Sequence, residues 1–130
     1  MEENSVLVLI AEDHREIQEL LQATLEEGGF AVLPASSAEE AIAAIEQRGE
    51  AIRALVADIL LGGTLTGWDV ARHARAACPG IPVVYTTGSE GRDWTSMGVP
   101  DSILIEKPYA PSQVLTAVSQ LLNAGGGSVG

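Results

Sequence analysis

At 130 residues, the chain is long enough for one domain that removes roughly two thirds of its unfolded surface from water. Apolar residues make up 46% and charged residues 19%, an ordinary globular balance, and a formal net charge of −11 argues against a general nucleic-acid binder. The single cysteine, Cys78, excludes an internal disulfide, and no stretch approaches the ~20 apolar residues of a membrane span.

The acidic start lacks the basic region of a signal peptide, so a cytoplasmic setting is expected, without direct nucleic-acid or membrane partners. Residues 5–11, "SVLVLIA", form a continuous run suited to a strand buried on both faces. In "HREIQELLQATLEE" the period changes: Ile17, Leu20, Leu21 and Leu25 fall at helical spacing, and Gly28-Gly29 supplies a stop. A second strand is expected over 30–35. Ser37 then stands three residues before Glu40, a capping-box spacing, ahead of Ala41, Ile42 and Ile45 on a helix that stops at Gly49. Strand three spans 53–58, and the loop "GGTLTG" leads into a helix over 68–77 that ends at Pro79-Gly80. Strand four spans 82–87, "PVVYTT"; the segment "GSEGRDWTSMGVP" holds one short helix; strand five spans 102–106. Pro111 suits a first helical turn, and Val114, Leu115, Val118, Leu121 and Leu122 give the last apolar stripe. Residues 1–123 thus read as one domain with no output domain, and 124–130, "AGGGSVG", as a flexible tail too poor in side chains to pack.

Five strands alternating with about five helices define an α/β fold with right-handed crossovers and a parallel sheet. In such sheets the working site lies at the carboxyl ends of the strands. Those ends carry Glu12 and Asp13 after strand one, Asp58 after strand three, Thr86-Thr87-Gly88 after strand four and Glu106-Lys107-Pro108 after strand five. Three close carboxylates raise one another's pKa unless a cation stands between them. Hard oxygen ligands without Cys or His favour Mg²⁺, and a nearby lysine can hold an anion.

This set of strand-end residues resembles the CheY-like receiver domains of two-component response regulators, over about residues 5–123. The resemblance implies a flavodoxin-like (βα)5 doubly wound sandwich with its five-stranded parallel sheet in the order 2-1-3-4-5. It implies that Asp58 accepts a phosphoryl group from a phosphohistidine donor. It further implies that Asp13 binds Mg²⁺ directly, that Glu12 acts through a metal-bound water, and that the Leu60 backbone carbonyl is a further ligand. Lys107 would neutralise phosphoryl oxygens, Thr87 would hydrogen-bond the phosphoryl group, and Lys107-Pro108 would be a cis bond. The partners implied are a histidine kinase or phosphotransfer protein, docking near Ile17 and Leu21, and a downstream protein target. The oligomeric state implied is a monomer or a phosphorylation-dependent dimer.

Some positions depart from the pattern. Leu104 stands where many receivers have Tyr or Phe, with Tyr85 as a substitute, and the loop after Asp58 is one residue longer, with Gly62-Gly63 replacing Met-Pro, which implies a looser loop. The end "VVYTTG" is similar to stand-alone receivers whose strand four reads Phe-Ala-Thr-Gly, some of them linked to bacterial stress signalling. Thr86 competes with Thr87 for the switch role. His14, one turn into its helix, and His73 read as exposed neighbours, Cys78 as a packed side chain, and Trp94 as a partner anchor or a loop pin. A receiver-like module that works without phosphorylation is the alternative function. A haloacid-dehalogenase-type phosphatase would need a second Asp where Leu60 stands, and no Walker-type loop is present. The chain is therefore expected not to be an enzyme beyond Mg²⁺-dependent self-phosphorylation and autodephosphorylation.

Overall fold

Strands β1 (Leu7–Ala11), β2 (Ala31–Ala35), β3 (Ile52–Asp58), β4 (Val83–Thr87) and β5 (Ile103–Glu106) pair in parallel in the order β2-β1-β3-β4-β5. Helices α1 (Arg15–Glu27), α2 (Ala38–Arg48), α3 (Gly67–Ala77) and α4 (Trp94–Met97) lie in the connections, and α5 (Pro111–Gly127) follows the last strand. The computed structural model describes residues 5–88 and 94–127. Residues 89–93, part of the segment expected to hold a short helix, and 128–130 of the expected tail lie outside the described residues.

Strand alternation divides the core into two layers. Leu9, Leu55, Val83 and Tyr85 point to the face covered by Ala41 and Ile45 of α2 and by Val70 and Ala71 of α3. Val8, Ile10, Val56 and Val84 point to the other, under Leu21 and Leu25 of α1 and Val114 and Val118 of α5. Each fully buried Leu, Ile or Val contributes about 1.5–3 kcal/mol relative to exposure, which outweighs the weaker local preferences of these short segments.

Several expectations are corrected. Leu20 is 54% exposed although it belongs to the α1 stripe, because at about 100° per residue it sits roughly 140° from Leu25 around the helix. His14 is not one turn into α1 but its N-cap. Ser37 accepts from the Glu40 N–H at 3.0 Å, as its spacing predicts, yet the Glu40 carboxylate caps the Ser36 N–H at 2.7 Å instead of that of Ser37. A second box went unread: Thr66 and Asp69 cap each other reciprocally at the start of α3. Helix α5 continues through Ala124 to Gly127, residues assigned to the tail, since its backbone hydrogen bonds need no side chains.

The turn into α3 depends on one glycine. The Gly67 N–H donates to the Ile59 carbonyl at 2.9 Å, and a Cβ there would run into the Asp58 carbonyl and stand 3.0 Å from Ile59 Cα. These are backbone atoms that cannot step aside. Gly67→Ala is therefore expected to cost about 1–3 kcal/mol, read as a lowered urea midpoint; an unchanged midpoint would show that α3 can move off the end of β3.

Candidate functional site

Ala11 pairs with Ala57, and Asp58 pairs with Thr86, so Glu12, Asp58 and Thr86 stand level across three adjacent strand ends. They continue the alternation of Ile10, Val56 and Val84, which places all three on the α1/α5 face. Asp13 follows immediately. Carboxylate oxygens of Glu12, Asp13 and Asp58 lie within 4.8 Å of one another; the first and last are buried and Asp13 is exposed. Lys107 Nζ donates to Asp58 Oδ2 at 2.9 Å, and the Leu60 N–H donates to Asp58 Oδ1 at 3.3 Å. The His14 N–H donates to Glu12 Oε2 at 2.9 Å, while Gln18 Nε2 ties the Glu12 and Ala35 carbonyls at 3.0 and 3.2 Å.

Burial dominates the electrostatics. It pushes the Glu12 carboxyl up to about 7, with Asp58 and Asp13 adding to the rise and the His14 N–H and Lys107 opposing it. The Asp58 carboxyl is also raised by burial, even though Lys107 pulls the other way. For Lys107 the order reverses: burial lowers its pKa, but Asp58, with Glu12 and Asp13 behind it, more than compensates, so the ammonium is held above its ordinary value. One lysine does not neutralise three carboxylates. An all-oxygen donor set carrying uncompensated negative charge fits a hard divalent cation.

The remaining expected positions fall as follows. Thr87 ends β4, fully buried, and its carbonyl accepts from the Lys107 N–H at 2.7 Å; Thr86 is equally buried on the opposite face. The Lys107-Pro108 bond is cis. Leu60 is 54% exposed. In the glycine loop, Gly62 takes a left-handed φ of 79°, and a Cβ on it would stand 3.1 Å from Asp13 Oδ2. His73 is exposed and Cys78 is partly buried against the core. Leu21 is 1% exposed and so belongs to the core; Leu20 is the exposed neighbour, and with Ile17, Pro108 and Tyr109 it lines an apolar hollow beside the site.

Tyr85, paired with Leu104 across the sheet, is buried edge-to-face on Trp68 with ring centroids 4.7 Å apart. Its hydroxyl accepts from the Val99 N–H at 3.1 Å. Trp94 Nε1 donates to Ser102 Oγ at 2.8 Å, and that hydroxyl donates to the Val99 carbonyl at 2.7 Å, so Trp94 pins the chain after α4. Sequence reading passed over Tyr109, whose hydroxyl is pushed up to about 12 by burial and by the charges of Glu12 and Asp58. Its place two residues after Lys107 was the available signal.

With an acid cluster and a lysine at the carboxyl edge of its 2-1-3-4-5 parallel sheet, the chain belongs to the response regulator receiver domain family, whose model matches residues 8–119. It is a receiver domain of two-component signalling. Among solved structures, a response regulator receiver protein from Sinorhizobium medicae WSM419 is 43% identical with a TM-score of 0.89, covering 93% of this chain and 97% of that one. A CheY-like receiver domain protein from Methanospirillum hungatei JF-1 is 25% identical with a TM-score of 0.81, covering 93% and 96%. The response regulator SaeR of Staphylococcus aureus strain USA300 is 25% identical over 119 residues, covering 88% of this chain. The chain spans about half the length of the curated relatives it matches. Among the described residues, no helix is long and apolar enough to cross a membrane.

Proposed function

We propose that this receiver domain accepts a phosphoryl group on Asp58 and signals by docking to other proteins. The observation that carries this reading is the juxtaposition of three carboxylates within 4.8 Å with an ammonium 2.9 Å from Asp58. Asp13, Glu12, Asp58 and the Leu60 carbonyl are the residues that would hold Mg²⁺, which when bound neutralises phosphoryl charge. In the transfer, an Asp58 carboxylate oxygen attacks the phosphorus of a phosphohistidine donor; the P–N bond breaks and its electron pair leaves with the imidazole nitrogen. Lys107 is placed to balance the charge brought to Asp58, and the Leu60 N–H orients the carboxylate. Thr87 then hydrogen-bonds the attached group and carries the change into the chain after β4.

In this reading the chemistry ends with modification of the domain itself, so it is a switch and not an enzyme. Its setting is the cytoplasm, and the acidic surface disfavours direct nucleic-acid contact. A histidine kinase or phosphotransfer protein is the upstream partner, meeting α1 at Ile17 and Leu20 beside the site. Acetyl phosphate with Mg²⁺ followed by intact-mass measurement is the test: one added phosphoryl group is expected, and its absence sinks the proposal. The clasp from Tyr85 and Trp94 to the chain after α4, together with Leu104, favours a second reading in which phosphorylation is not read out there. Beryllofluoride with Mg²⁺ separates the two, because amide shifts over 94–106 support the switch and silence there supports the second reading.

A further inference from the structure

Among the described residues, three buried side-chain atoms have no hydrogen-bond partner: Glu12 Oε1, Thr86 Oγ1 and Tyr109 OH. They belong to one place. Glu12 and Thr86 flank Asp58 at one level and on one face of the sheet, and Tyr109 packs against the core layer of that same face. Tyr109 feels the charges of both Glu12 and Asp58, and Thr86 is close enough to offset a little of their effect, although the two hydroxyls do not meet in hydrogen-bond geometry. A buried polar atom left unpaired keeps its full desolvation penalty, so three together mark a polar chain and not three separate defects.

We propose that Tyr109 is a positioning residue for Glu12. Its hydroxyl reaches Glu12 Oε1 through one water shared with Thr86 Oγ1, and holds that carboxylate where it serves the metal. The proposal rests on the Mg²⁺ reading of the site. Glu12 Oε2 already accepts the His14 N–H at 2.9 Å, so a second donor on Oε1 fixes the rotation of the carboxylate plane as well as its position. Thr86 can both donate and accept, which lets it complete the chain. Outer partners of metal ligands typically change metal affinity 10–100-fold, and a neutral phenol acting on a carboxylate that serves the metal through a water belongs at the lower end.

The test is calorimetric titration of Tyr109→Phe with Mg²⁺, without a phosphodonor. Affinity about 10-fold weaker than wild type is expected, and an unchanged affinity overturns the proposal. Protein labelled at tyrosine Cζ supplies the second readout, since its two tyrosines are Tyr85 and Tyr109. Glu12→Gln is expected to move the Tyr109 signal and leave that of Tyr85, whose hydroxyl is bonded on the other face of the sheet. A Tyr109 signal indifferent to Glu12→Gln also overturns the proposal, and this measurement decides the matter if Tyr109→Phe does not fold. Wild-type protein that binds no Mg²⁺ overturns the metal reading together with this one, a failure distinguishable because wild type itself then gives no binding heat.

Discussion

Asp58→Asn is expected to reduce the phosphoryl adduct formed with acetyl phosphate and Mg²⁺ to background. The amide keeps the volume of the side chain, so the end of β3 and its hydrogen bond to Leu60 can persist, but it removes the nucleophilic charge. It also deprives Lys107 of its ion-pair partner, at 2.9 Å in the native protein. Because Asn is uncharged and nearly isosteric, the fold is expected to survive, and circular dichroism on the same sample separates lost chemistry from lost structure. Intact-mass measurement reads the adduct. An undiminished adduct on the variant would move the acceptor to Asp13 or Glu12, the other acids of the cluster, and overturn the assignment.

The second large effect is on stability. The Glu12 pKa is raised from 4.5 to about 7, so between these values the folded protein holds a proton that the unfolded chain has released. Stability is therefore greatest below the unfolded value and is lost as pH rises through the folded one, by about 3 kcal/mol for a shift of this size. Asp58 acts in the same direction. Asp69 acts in the opposite one, because the Thr66 N–H lowers its pKa below 3.8, and its contribution is lost only in more acidic solution. Metal-free protein is thus expected to show a urea midpoint that falls from about pH 5 to about pH 8, with Glu12→Gln flattening the curve. Mg²⁺ at about a hundred times its dissociation constant should restore about 2.7 kcal/mol, mainly at the alkaline end where the carboxylates are ionised. A midpoint insensitive to Mg²⁺ there would remove the metal from the mechanism.

Much of this was readable in the chain. The continuous apolar runs of β1 and β3, the helical spacing of Ile17, Leu21 and Leu25, and the stops at Gly28-Gly29 and Gly49 are local signals, and local steric preference with burial accounts for them. The strand-end positions of Glu12, Asp13, Asp58 and Lys107 follow from the order of elements, because a parallel α/β sheet gathers its carboxyl ends along one edge.

What the sequence determined by itself, then, was the class of fold and the group of side chains brought to that edge, since both depend on periodicity and order along the chain. Tertiary structure alone decided that Gly67 meets backbone and that Gly62 closes on Asp13. It alone packed Tyr109 against the core layer of the α1/α5 face and set Tyr85 against Val99. Each of these is a contact between separate segments, fixed by how loops and helices dock on the sheet, and periodicity along one segment carries no information about which atom of another will meet it.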